Sequence, residues 1–269
     1  MARGLLASAA KFWFCKFVFK KEGEAMKRIV GVLSACALAL VLVLPGSSHA
    51  KKPDPTAQCQ SKKVNAATIF VKKLFYAQAA ELKNPDEFDL GAAVAEAEGQ
   101  FEERWEAAEA TDDCDFPFNQ DIDIPSDESP VNFADVVELM DWIEGEVEGI
   151  AALITDGVDD LDEDSVNLGA ELLRAAGQKA FSLLKAEAQD LQKPNDAKRE
   201  RARQKAMNKY GNTYQKRIQK ADEKGVDVTY FQEDSDPADG TEDVLADSEA
   251  GIDALVEDIL AIFTAQQTS

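Results

Sequence analysis

In Leu82-Lys83-Asn84-Pro85-Asp86-Glu87-Phe88-Asp89-Leu90 one helical pattern ends and another begins. Asn84-Pro85-Asp86 stops a helix, and apolar residues run at helical spacing on both sides of the break. Upstream, Val64, Ala67, Val71, Leu74 and Phe75 share one face of a helix predicted over about 57–83. Downstream, Leu90, Val94, Ala97, Phe101, Trp105 and Ala108 recur at steps of three and four, which predicts a second helix over about 87–111. Pro85 suits the opening of that second helix. Two helices joined by so short a break pack antiparallel.

The cysteines test this hairpin independently. Residues equidistant from the turn of an antiparallel pair face each other, and the midpoint of positions 59 and 114 is 86.5. A disulfide between Cys59 and Cys114 therefore staples the open end of the hairpin. On the chain-entropy model a loop of that size is worth about 4 kcal/mol at most. No close CxxC spacing lowers a thiol pKa, so the pair reads as structural rather than redox-active.

Further along, Phe133, Val136, Val137, Met140, Ile143, Val147, Ile150 and Ile154 mark a third helix over about 133–154. Three more follow, over about 165–192, 196–224 and 241–263, on apolar stripes that include Leu172, Leu183, Tyr210, Tyr214, Ile252 and Ile259. No stretch alternates as a strand should.

The second half reads as a divergent copy of the first. Phe118-x-x-Asp121-x-Asp123 reappears 113 positions later as Phe231-x-x-Asp234-x-Asp236, and at the same offset Phe101 and Trp105 match Tyr214 and Ile218. Val147–Ala152 parallels Val256–Ala261 at an offset of 109, and Asn84-Pro85-Asp86 has its counterpart in Lys193-Pro194-Asn195-Asp196. The expected fold is all-α: two divergent three-helix repeats, 51–155 with the disulfide and 165–269 without it, packed as a bundle and joined by an acidic linker at 156–164.

A cysteine, a Lys-rich first helix, an aromatic second helix ending in acidic residues and cysteine, and an apolar third helix form a pattern found elsewhere. It resembles the cysteine-bracketed helical-hairpin repeats of exported Gram-negative bacterial proteins that have no known activity. The resemblance covers Cys59–Ile154 well and Leu172–Phe263 loosely, and it implies location and fold only.

Outward from the hairpin, the N-terminal region carries an export signal. Met26-Lys27-Arg28 is a basic start, Ile29 to Leu44 an apolar run, and Ser48-His49-Ala50 a cleavage site, so residues 26–50 read as a signal peptide. Residues 1–25, with Phe12-Trp13-Phe14-Cys15, read as a misassigned extension upstream of the true start. The expected location is periplasmic or secreted. Two alternatives are an uncleaved anchor through residues 29–44, and lipidation at Cys36, because Leu33-Ser34-Ala35-Cys36 resembles a lipobox. Apolar residues continue after Cys36, where a lipoprotein turns polar.

Cleavage after Ala50 leaves 219 residues with 22 basic and 49 acidic side chains, a net charge of −27. That charge argues against DNA, RNA or an anionic membrane as the main partner, and no membrane insertion is expected after cleavage. It also removes His49, the one histidine, so Ser-His and Cys-His catalysis and His-based metal sites are excluded from the mature chain. There is no Gly-rich phosphate loop. The abundance of carboxylates singles out no glycosidase-type pair.

Two constellations remain. Asp121, Asp123, Asp127 and Glu128 lie between helices two and three, and Glu233, Asp234, Asp236, Asp239 and Glu242 lie at the corresponding place in the copy. Clustered carboxylates on a loop suit calcium. Asp234-x-Asp236-x-x-Asp239-Gly240 resembles a DxDxDG calcium loop with one extra residue before its third aspartate. Charge is also segregated: 28 acidic residues and only Arg104 as a base lie between Asp86 and Asp164, whereas 11 basic and 4 acidic residues lie between Lys193 and Lys224. The basic fifth helix is expected to lie near the acidic first repeat, the alternative being an anionic partner. Trp105, on the apolar stripe, and Trp142, beside Ile143 and expected to be partly exposed, read as core anchors rather than a ligand platform. The leading expectation is a non-catalytic exported helical scaffold or binding module. The alternatives are a calcium-binding acidic protein using loops 121–128 and 233–242, and an enzyme using carboxylates alone.

Overall fold

The structure, a computed structural model, describes residues 54–110, 114, 116, 118–127, 129–155, 158, 162–231 and 244–265. The chain divides into two units, Met1–Lys52 and Pro53–Ser269, and the described residues belong to the second. The signal peptide at 26–50, the extension at 1–25, Cys36, His49, most of the linker 156–164, and Glu128, Glu233, Asp234, Asp236, Asp239 and Glu242 lie outside the described residues.

All six expected helices are present: α1 (Pro55–Lys83), α2 (Leu90–Glu109), α3 (Val136–Thr155), α4 (Glu163–Gln192), α5 (Asp196–Asp222) and α6 (Val244–Thr264). A 3-10 turn, Thr229–Phe231, follows α5, and the loop before α3 holds one isolated antiparallel bridge, Ile122 to Val131. Side-chain caps explain where the ends differ from the apolar pattern. The α2 helix begins at Leu90 because the Asp89 carboxylate accepts from the Ala92 N–H; Pro85 stays in the turn. The α3 helix begins at Val136 rather than Phe133. Asp135 accepts from the Val137 and Glu138 N–H groups, and Glu138 reaches back to the Ala134 N–H, a reciprocal capping box. Asp162 caps α4 in the same way, accepting from Asp164 and Ser165.

The helices lie in two layers. α2, α1, α4 and α5 stand side by side in that order, with α1 against α4 the most extensive pairing, and α3 and α6 pair with each other across α1 and α4. These principal pairings are unchanged when α1, α2 and α3 are exchanged for α4, α5 and α6. Burial follows the same exchange. Every buried residue of α1 except Ala66 has a buried counterpart in α4 109 positions on, so that Cys59 matches Leu168, Phe70 matches Lys179 and Phe75 matches Leu184. Ala97, Phe101 and Trp105 of α2 match Ala206, Tyr210 and Tyr214 of α5 at the same offset, and Ile143, Val147, Ile150 and Ile154 match Ile252, Val256, Ile259 and Phe263. Phe101 and Trp105 therefore pair with Tyr210 and Tyr214, not with Tyr214 and Ile218 as the 113 offset suggests; α5 ends 113 positions after α2, one helical turn later, so that offset holds only beyond the helix.

One continuous core joins both halves. Its aromatic centre links Phe70, Phe101 and Trp105 to Phe116, and takes in Phe263 from α6, whose ring lies 5.7 Å from Trp105. Trp105 is a core anchor, whereas Trp142 is half-buried with its ring 6.1 Å from Phe133. Cys59 and Cys114 are joined, their Cα atoms 5.5 Å apart, and bury Ala108 between the start of α1 and the end of α2.

Candidate functional site

The described loop aspartates are all exposed. Asp121 accepts from the Asn132 side-chain amide and Asp127 from the Ser129 N–H, bonds that order the loop itself. Among the described residues the loop does not gather Asp121, Asp123 and Asp127 into one ligand-sized group. The three carboxylates whose oxygens fall within 4.8 Å of one another are Glu98 of α2 with Asp141 and Glu144 of α3. They meet because α2 and α3 are both acidic along the edge where they approach, with Arg104 the one base in that part of the sequence.

This crowding shows in protonation. Burial, and then the charges of Glu148, Glu98 and Asp141, push the Glu144 carboxyl above its usual range. Burial, and then Asp258 and Asp127, do the same to Glu146. Asp258 is fully buried on α6 and accepts from the backbone N–H and the hydroxyl of Ser126, which pins the loop 118–127 to the last helix. The arrangement is an acidic surface under its own repulsion, able to receive positive charge.

The basic helix α5 is arranged differently from the expectation that it would lie near the acidic first repeat. It packs on α4, with a slighter contact to α6, and its ion pairs are made within the second half. Arg199 meets Asp190 at 3.0 Å, Arg203 meets Glu187 at 2.8 Å and Glu257 at 3.4 Å, and Arg217 meets Glu171 at 2.9 Å. The reason is topological: α1 and α4 separate α5 from α2, so the neutralising acids come from the adjacent helix.

Two buried lysines were not singled out by the sequence. The Lys63 ammonium donates to Glu109 at 3.0 Å and to the Cys114 carbonyl at 2.8 Å, and sits 4.3 Å over the Trp105 ring. Lys179 donates to the Glu249 carbonyl at 2.9 Å, pairs with Asp253 at 3.1 Å and lies 5.4 Å from the Tyr210 ring. Their signal was a lysine at a position where the helical stripe is otherwise apolar. Both bind protein groups and act as internal ties between elements.

Three cavities lie along the groove between α4 and α5, with volumes of about 170, 90 and 70 Å³. Among the described residues no helix is long and apolar enough to cross a membrane. Comparison of the chain with protein-family models, with curated proteins and with solved structures finds no match in any of the three.

Proposed function

We propose that the mature chain is an exported, non-catalytic helical binding module that meets its partner through charge, and that its halves are divergent copies of one three-helix unit. The observation that carries the binding reading is the acidic edge of α2 and α3. Its Glu98, Asp141 and Glu144 crowd together while the basic residues of α5 are engaged elsewhere or face solvent. A surface that repels itself is stabilised by any cationic partner that relieves the repulsion. Duplication is supported by the constant burial offset of 109 and by helix pairings that survive exchange of the halves. Export is supported by the order of residues 26–50, and the Cys59–Cys114 pair suits an oxidising compartment such as the periplasm or the exterior.

A photo-crosslinking residue placed at Asp141 tests the binding reading in the native cell. It should capture a discrete protein adduct that the same residue at Gln204, on α5, does not give. No adduct at position 141, or equal capture at both positions, would contradict the proposal. The alternative of calcium held by loops 121–128 and 233–242 predicts a higher melting temperature in millimolar calcium, because an ion bound only by the folded chain stabilises it. The leading reading predicts instead that any such rise is lost in E98Q/D141N/E144Q and kept in D121N/D123N, because the crowded carboxylates lie on α2 and α3.

A further inference from the structure

We propose that the open side of the four-helix layer, centred on Tyr76 of α1 and Phe181 of α4 and continuing onto α5, is a docking surface for an anionic phospholipid bilayer. This goes beyond the acidic-edge reading and concerns the opposite charge.

α3 and α6 cover one side of the α1–α4 pair, and among the described residues no helix covers the other. On that side the least buried positions of α1 include Lys62, Lys72 and Tyr76, and those of α4 include Arg174, Phe181 and Lys185. They form one patch. The Lys72 ammonium lies 5.1 Å from the Tyr76 ring and 4.8 Å from the Phe181 ring, and Lys185 lies 5.4 Å from Phe181. Tyr76 is 38 % exposed, one of only three large apolar side chains so exposed among the described residues. The 109 offset pairs Lys72 with Phe181 and Tyr76 with Lys185, so each central helix brings one lysine and one ring to the centre of the face.

None of Lys62, Lys72, Arg174 and Lys185 is ion-paired among the described residues, whereas Lys73, nearer α2, is engaged by Glu96 at 2.9 Å. The basic footprint therefore ends at α1 on one side. On the other it extends across the α4–α5 groove, whose lip carries Lys198, Lys209 and Lys220 together with Asp164, Asp190 and Glu171, the last two engaged by Arg199 and Arg217. None of the groove's three cavities, at about 170, 90 and 70 Å³, is large enough to seat a helix. What remains is a broad surface of lysines with aliphatic stems around two rings, the composition that places ammonium groups at phosphates and rings at the headgroup boundary.

Net charge does not decide against this. The Debye length at physiological ionic strength is about 8 Å. A helix with its side chains is about 10–12 Å across, so the acidic layer of α3 and α6 is largely screened from a bilayer lying against the open side. The acidic α2, in the same layer but one helix beyond the patch, bounds the footprint at α1.

Co-sedimentation of the mature, oxidised chain with vesicles tests the proposal. Vesicles of phosphatidylcholine with about 40 % phosphatidylglycerol should retain it, vesicles of phosphatidylcholine alone should not, and about 0.5 M salt should release it. K72E/K185E should lower partitioning by at least about twenty-five-fold, taking about fivefold for each cation. Circular dichroism confirms that the variant is folded, and K62E/R174E serves if it is not. D141N, on the acidic edge, should leave binding unchanged or raise it. Failure to bind, equal binding to both vesicle types, or wild-type binding by both charge-reversed variants would overturn the proposal. So would a self-association abolished by K72E/K185E without vesicle binding, which would assign the face to a second copy of the chain. A crosslink at Asp141 is independent of all these outcomes.

Discussion

Lys63 occupies a position where the stripe of α1 is otherwise apolar, and its side chain is only 2 % exposed. Among the groups that hold its charge are the Glu109 carboxylate, the Cys114 carbonyl and the rings of Trp105 and Phe116. The first two lie at the end of α2 and at the disulfide, so one ammonium ties the open end of the hairpin together beside the covalent staple. Removing it leaves that carbonyl and carboxylate without their donor. We expect K63A to lower unfolding stability by about 2–3 kcal/mol, at the lower end for a buried pair because Glu109 is partly exposed. K63M, which keeps the stem, should cost less. Urea denaturation checks both, and a K63A midpoint equal to wild type would show that the tie is not stabilising. The sequence made the cysteines legible because their spacing about a turn is a geometric statement. It left Lys63 and Lys179 unmarked, since a single lysine in an apolar stripe shows its burial only once the neighbouring helices are in place.

At the scale of elements, the closest contact lies where α1 crosses α4. A Cβ built on Gly177 would stand 2.7 Å from the Cβ of Phe75, an atom fixed to its backbone. Gly177 is therefore what lets the two central helices approach, and we expect G177A to destabilise by about 1–3 kcal/mol despite the better helix propensity of alanine. Gly145 and Gly149 on α3 meet nothing within 4 Å. G145A and G149A should each stabilise by roughly 0.5–1 kcal/mol. Thermal melts of the three variants decide this, and a stabilising G177A would show that the crossing is looser than described. Helix existence was legible throughout, because 3.6-residue periodicity and Asn84-Pro85-Asp86 are local signals. The pairing of α1 with α4 was not, since an apolar stripe states that a face is buried without naming what buries it. The offset of 113 read near the end of the hairpin reflects one extra turn of α5, and burial restores 109 through the helices themselves. Of the loop candidates, Asp121, Asp123 and Asp127 are exposed as expected of a loop. The carboxylates that converge, Glu98, Asp141 and Glu144, lie on helices and meet only through tertiary packing.

Over the whole molecule the acidic excess sets how stability depends on pH. Glu144 and Glu146 have folded pKa values raised above the ordinary 4.5, so the folded state binds their protons more tightly than the unfolded one. Their ionisation opposes folding at neutral pH, and that opposition is relieved as pH falls through the raised values toward 4.5. Glu96, Asp162 and Asp227 are shifted the other way, Glu96 chiefly by Lys73, Asp162 by the Ser165 N–H and Asp227 by the Thr229 hydroxyl. Their contribution is present above their ordinary pKa values and is lost as pH falls through the lowered ones. Stability should therefore rise from neutral pH toward about 5 and fall below about 4. E144Q should flatten the rise and add roughly 0.5 kcal/mol at pH 7.5, the scale of one relieved like-charge pair on a helix. Denaturation midpoints across pH 3–8 would contradict this if stability fell steadily from pH 7 downward or if E144Q were neutral.

At the same scale stands the proposal of an exported helical unit that begins after Ala50 and is stapled at Cys59 and Cys114. Intact mass of the naturally exported protein, taken with and without reduction, tests it most directly. We expect a chain whose first residue is Lys51, which gains two hydrogens on reduction and carries no lipid. A mass that retains residues 26–50, an acyl group on Cys36, or two free thiols before reduction would contradict it.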